Sequence, residues 1–300
     1  MKFTAGTLAS AAVILMSCVS SYAVDMADGS YGMPTKVYFG EIEARLGGIW
    51  IDGFDEGIDE EMLFGGAALR VGKVIDNRWV IQGDIFGELT DSNHRNSYAY
   101  GLGGAVHVAK RSDTHLLGIF GGYLHTDQDT PDDSETSGRV FAGVEAQRYY
   151  DQTTLYGQLG WIDGQWGSDD DGYDSLSNAV FARAMVRYFV NPATRLDLSA
   201  AAFYGQMDDD FSDEVKGGSL TAGIEHQIHD SDFSIFSGYE IGYYNQNEDG
   251  HDELVEQTVW AGLKYRFGVD GTLKQQDRDR PSLDLPPLLR WMAQTAGPLD

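Results

Sequence analysis

The stretch that decides the fold is Val259-Trp-Ala-Gly-Leu-Lys-Tyr-Arg-Phe-Gly268, near the C-terminus. Val259, Ala261, Leu263, Tyr265 and Phe267 alternate with the polar pair Lys264 and Arg266. A period of two marks a strand, because successive side chains point to opposite faces. Yet 32 residues follow Gly268, so a strand that looks terminal is not the end of the chain.

The same alternation runs back through the sequence. Tyr38, Ile42, Ala44, Leu46 and Trp50 oppose Glu41, Glu43 and Arg45; Trp79, Ile81, Ile85 and Leu89 oppose Gln82, Asp84 and Glu88. Val180, Ala182, Ala184, Val186 and Tyr188 oppose Arg183 and Arg187. Twelve such segments fall near 36–51, 62–74, 79–89, 97–109, 114–126, 138–150, 152–162, 178–190, 193–206, 216–229, 232–245 and 255–268. Each is long enough for a tilted membrane strand, which needs about 9–11 residues. The fifth, Thr114 to Thr126, is apolar on both faces, so its facing is ambiguous.

Connections alternate in length. Short turns near 75–78, 110–113, 151, 191–192 and 230–231 are interleaved with longer polar loops near 52–61, 90–96, 127–137, 163–177, 207–215 and 246–254. Short turns on one side and long loops on the other predict a transmembrane antiparallel up-and-down β-barrel of about 12 strands. Aromatic residues mark both edges of its outward face. Trp50, Tyr98, Tyr100, Trp161, Tyr204 and Tyr243 stand near the long loops; Tyr38, Trp79, Tyr188, Phe233, Tyr265 and Phe267 stand near the short turns. Such rings prefer headgroup depth, where one edge is apolar and the other wet.

Gly262, Tyr265 and Phe267, spaced Gly-x-x-Tyr-x-Phe, resemble the C-terminal sorting signal of Gram-negative outer-membrane barrel proteins. The resemblance implies recognition by the barrel-assembly machinery. A porin-like likeness at the level of class covers residues 36–268, with no particular family identified within it.

Residues 1–23 carry one lysine, an apolar run from Leu8 to Met16, and small residues at Ser21 and Ala23. This is the pattern of a secretory signal peptide, with cleavage expected after Ala23. Leu15-Met16-Ser17-Cys18 loosely resembles a lipobox, but Met16 fits it poorly. Residues 24–35 then form an N-terminal periplasmic segment, and residues 269–300 are expected as a periplasmic C-terminal extension. The net charge of −26 argues against nucleic acid as a partner.

The inward face predicts the lumen lining: Glu41, Glu43, Arg45, Arg70, Asp84, Glu88, Glu145, Arg183, Arg187, Arg195, Asp197, Glu225, Glu240, Lys264 and Arg266. Acids and bases nearly balance. Twelve strands fall between side-chain-filled barrels of about eight and open channels of 16–18. Two arrangements are open: charges that pair across the lumen, or a constriction where Arg183, Arg187 and Arg195 face Glu41 and Glu43.

The long loops hold 26 of the 47 carboxylates, which places the acid excess on the extracellular side. Clustered carboxylates suit hard divalent ions. The expected form is loosely held Ca²⁺ or Mg²⁺ bridging to lipopolysaccharide phosphates, with no resident cofactor. Asp169, Asp170, Asp171 and Asp174 are the nearest to a calcium loop, but they lack its full spacing. Catalysis is not expected. Outer-membrane phospholipases, also of twelve strands, use a His-x-Ser on the outward face; the one His-x-Ser here, His229-Asp230-Ser231, falls at the short turn near 230–231 and not on the face of a strand.

In the tail, residues 269–281 read as polar and extended, and Pro286-Pro287 opens a short helix through Leu288, Leu289, Trp291 and Met292. The functional expectation is a narrow porin-like channel for small hydrophilic solutes. The alternative is a non-conducting surface barrel acting through its loops in envelope integrity or adhesion; an outer-membrane hydrolase is more remote.

Overall fold

A computed structural model describes residues 38–53, 59–75, 78–92, 97–129, 134–163, 176–207, 214–229, 231–246, 252–268, 270–279 and 283–295. The leading segments 1–23 and 24–35, Cys18, the Tyr98 side chain, most of the long loops, and Asp169, Asp170, Asp171 and Asp174 lie outside the described residues.

The first six strands are β1 (Tyr38–Gly53), β2 (Asp59–Ile75), β3 (Trp79–Ser92), β4 (Ser97–Arg111), β5 (His115–Asp129) and β6 (Ser134–Tyr149). The next six are β7 (Thr153–Asp163), β8 (Leu176–Asn191), β9 (Thr194–Met207), β10 (Glu214–Gln227), β11 (Phe233–Gln246) and β12 (Asp252–Phe267). Two helices follow, α1 (Leu273–Asp279) and α2 (Leu288–Thr295). The strands form a closed barrel in sequence order, every pair antiparallel. β12 is the closing strand: it pairs with β1 from Gly40↔Phe267 to Gly53↔Leu254 and with β11 on its other side.

The outer face is one that water would not tolerate. Leu46 is 74% exposed, Ile85 61% and Leu198 59%, and comparable apolar residues stand on every strand. Contiguous apolar surface on this scale identifies a lipid-facing band. Both aromatic girdles are present. Tyr38, Trp79, Tyr188, Phe233 and Tyr265 are exposed towards the short turns, and Tyr100, Trp161, Tyr204 and Tyr243 towards the long loops. Trp50 and Phe267 are half-buried.

The ambiguous fifth strand is resolved by what the barrel contains. Leu117, Ile119 and Tyr123 face lipid, while Leu116, Phe120 and Leu124 point inward and are buried. Phe120 and Leu124 belong to an apolar cluster with Phe141, Phe181, Phe203, Tyr244 and three residues of α2, Leu288, Trp291 and Met292. Leu116 packs in a second cluster with Phe39, Val74, Val80, Ala109, Tyr149 and the tail's Leu283. A strand can be apolar on both faces when lipid covers one and a helix the other.

This corrects the expected path of the tail. The segment 269–300 does not trail away from the barrel as a periplasmic extension; its described part re-enters the lumen. Gly268 and Gly271 take positive φ values of 68° and 93° at the reversal. A Cβ on Gly268 would come 2.2 Å from the Tyr38 carbonyl, so the turn needs glycine for space as well as for dihedral angle. The polar stretch read as extended is also partly helical. Thr272 and Gln275 cap α1 reciprocally: the Gln275 amide reaches Thr272 Oγ1 at 3.4 Å, and the Thr272 amide reaches Gln275 Oε1 at 2.9 Å. This Thr-x-x-Gln box is a helix-start signal that the polarity of the segment masked.

α1 lies across the short-turn mouth. Lys274 Nζ meets Asp151 at 3.0 Å, and Arg278 Nη2 donates to the Tyr150 and Thr153 carbonyls at 2.6 and 3.1 Å. Residues 283–287 then thread the bore, and α2 sits in the half nearer the long loops, among Ile162, Leu176, Val215 and Tyr244. Trp291 is fully buried, with ring centroids 5.0 Å from Phe203 and 5.9 Å from Phe181. An eight-residue helix is not stable alone in water, and the lumen supplies the apolar surface it needs.

Candidate functional site: the occupied lumen

All fifteen residues expected on the inner wall have side chains directed into the barrel, in three clusters. The first is a wall network near the short-turn end. Arg70 reaches Glu41 at 2.6 Å and Glu43 at 3.2 Å; Arg266 reaches Glu41 and Glu225, both at 2.6 Å. Lys264 lies within 3.6 Å of Glu41, Glu43 and Glu225, and Arg195 holds Asp197 at 2.9 Å and Glu225 at 3.2 Å. The expected acid wall of Glu41 and Glu43 is therefore neutralised by its own neighbours, which removes half of the anticipated transverse field.

The second cluster surrounds His107, which sits between Asp84 (3.2 Å) and Glu145 (3.0 Å) and stacks on Phe120. His107 is fully buried and joins β3, β4 and β6. Replacing it with phenylalanine leaves two buried acids without their bridge. The His107→Phe protein is expected to lose about 3–5 kcal/mol, the usual cost of removing one partner from a buried ion pair. The temperature at which the folded band converts on a detergent gel should drop accordingly; an unchanged temperature would show that the bridge is not structural.

In the third cluster the tail supplies the partners. Arg187 of β8 is fully buried, with Nη1 2.8 Å from Asp277 and Nη2 2.5 Å from Asp284. Asp284 also lies 3.9 Å from Arg70 of β2. β2 and β8 stand opposite each other in the ring, so one tail carboxylate bridges the bore. Arg183 donates to the Leu285 carbonyl at 2.9 Å. Further along, Arg290 reaches Glu88 at 3.0 Å, Glu256 at 3.1 Å, Glu240 at 3.8 Å and the Thr258 hydroxyl at 2.8 Å. Arg45 pairs with Glu88 at 2.8 Å. A cavity of about 200 Å³ remains between the tail and the wall, bordered by Glu43, Arg45, Arg70, Glu88, Arg183 and Glu240.

Reading the sequence missed the tail groups Asp277, Asp284 and Arg290, and the wall residues Tyr156, Gln158, Glu256 and Thr258; it put Gln82 on the inward face without giving it a role. The wall residues were open to the same alternation argument. The tail groups carry no local signal, because their partners lie up to about 200 residues away in sequence.

Solved structures that resemble this fold include two outer-membrane channels. An outer-membrane channel from Pseudomonas putida F1 aligns with a TM-score of 0.55 at 14% identity, covering 81% of this chain and all of that one. The deltaS2 mutant of TodX, a monoaromatic hydrocarbon channel, aligns with a TM-score of 0.50 at 8% identity, covering 78% of this chain and 91% of that one. Identities this low establish the architecture alone. No protein-family model matches the chain, and no curated protein matches it.

Proposed function

We propose that this outer-membrane β-barrel is a narrow channel for passive diffusion of small hydrophilic solutes, held closed by its own C-terminal segment. The observation that carries the reading is the origin of the counter-charges. Asp277, Asp284 and Arg290 come from a tail that adds no strand to the barrel, and their partners belong to the wall. When the tail withdraws, Arg183 and Arg187 face the bore and attract anions. The P. putida outer-membrane protein and TodX, two solved proteins of similar architecture, are channels, and that supports conduction.

In this reading residues 1–23 are removed as a signal peptide, and α1 closes the periplasmic mouth. The acidic loops face lipopolysaccharide, with Ca²⁺ or Mg²⁺ between them, and the barrel has no catalytic role. The filled lumen favours a second reading: a non-conducting surface barrel that acts through those loops. Planar-bilayer recordings on purified full-length protein separate the two. Discrete openings are expected, and Arg183→Ala with Arg187→Ala should move the reversal potential towards cations. A silent bilayer would favour the second reading.

A further inference from the structure

We propose that the lumen is a peptide-binding tunnel, and that the solutes it admits are short extended peptides. This rests on the channel reading, because the tail must leave before another segment enters. The wall around residues 283–285 recognises backbone more than side chain. Gln82 pairs with Leu283 in both directions: its Nε2 donates to the Leu283 carbonyl at 2.7 Å, and the Leu283 amide donates to its Oε1 at 3.3 Å. Gln158 Nε2 donates to the Asp284 carbonyl at 2.6 Å, where the Tyr156 hydroxyl also lies at 3.1 Å. Arg183 takes the Leu285 carbonyl. Three consecutive peptide carbonyls are thus each held by a side chain from a different strand, β3, β7 and β8. Any residue offers a carbonyl, so this recognition is indifferent to sequence. It is the side-chain equivalent of adding a strand to a sheet edge.

Two flanking sites add selectivity. Arg187 forms a carboxylate site at the second of these positions. Six residues further on, Glu88, Glu240, Glu256 and Thr258 converge on a guanidinium that also lies 5.0 Å from the centre of the Phe64 ring. Pro286 and Pro287, between the two, have no amide hydrogen and need no acceptor from the wall. The cavity beside this segment gives room for side chains larger than those of the tail. A sugar or an inorganic ion offers none of the amide groups that Gln82 and Gln158 now satisfy, whereas a peptide offers all of them.

The test uses full-length protein with a loosened tail, Asp284→Asn plus Arg290→Gln. The probe is a fluorescent synthetic peptide, Leu-Asp-Leu-Pro-Pro-Leu-Leu-Arg-Trp-Met, the sequence of residues 283–292. Binding is read by anisotropy, and conductance is recorded on the same preparation. The tethered tail competes at millimolar effective concentration, so the peptide should bind the loosened variant at least about tenfold more tightly than wild type. A control peptide with asparagine and glutamine in place of its aspartate and arginine should bind at least about tenfold more weakly, as expected for two lost charge-assisted contacts. Leu289→Asp loosens the tail by a different route if the first variant does not fold. Equal binding of the two peptides, or binding of neither, overturns the proposal. Openings that the peptide does not block leave the channel standing without the peptide site. Binding without any openings supports the site and overturns conduction.

Discussion

Deleting residues 270–300 is expected to leave a folded, inserted barrel and to turn a mostly closed protein into a mostly open one. The ladder is complete without the tail, because β12 pairs with β1 over Leu254–Phe267 and with β11 over Asp252–Tyr265. Gly262, Tyr265 and Phe267, which resemble a sorting signal, all precede residue 270 and are kept in the truncated chain. Deletion removes Trp291, whose burial by comparison with other large-to-small core changes is worth about 3–5 kcal/mol. It also removes the counter-charges on Arg187 and on the acidic cluster. Since about 1.4 kcal/mol is tenfold in an equilibrium, the open fraction should rise by more than about a hundredfold. Heat-modifiable migration reports the barrel, and bilayer current reports the lumen. A truncated protein that fails to insert would mean that β12 does not close the barrel unaided.

Arg187→Ala is expected to release the tail in the intact chain. One guanidinium holds Asp277 and Asp284 together, and without it the two carboxylates face each other in a confined bore. Stripping one partner from a buried pair costs about 3–5 kcal/mol. The lower end applies here, because Asp284 keeps some exposure and a long contact to Arg70. Limited proteolysis should then clip the tail about a hundredfold faster while the barrel resists. Arg187→Lys should restore protection only in part, since an ammonium cannot present two parallel donors to two carboxylates. Equal clipping of wild type and Arg187→Ala would show that these pairs do not hold the tail.

The barrel was legible in the sequence because its rule is local: two residues per repeat, lipid on one side. That rule assigned Val186 and Ile85 to lipid and Arg187 and Glu225 to the lumen. It does not say what fills the lumen. Phe181, Phe203 and Tyr244 carry inward parity yet are too apolar for a water-filled pore, and together with the doubly apolar β5 they were the available clue. Leu288, Leu289, Trp291 and Met292 were the other half of it, an apolar face that had to be buried somewhere. Joining the two needed three-dimensional information, because Asp284 and Arg187 are 97 residues apart and no periodicity relates them. Helix α1 was lost for a smaller reason: its polar composition outweighed its capping box.

The most direct test of a tail inside the lumen is a cross-link between Gly101→Cys and Leu289→Cys in a Cys18→Ser background. A Cβ on Gly101 would lie 3.4 Å from Leu289 Cγ, the position nearest to that of a cysteine sulfur at 289, close enough for a disulfide to form with a small adjustment. Leu102, the next residue, faces lipid and serves as the control partner. Oxidation should link residue 289 to position 101 and not to 102, and the linked protein should stay silent in a bilayer until it is reduced. A tail that links to neither position, or a linked barrel that conducts like the reduced one, would contradict a lumen closed by its own chain.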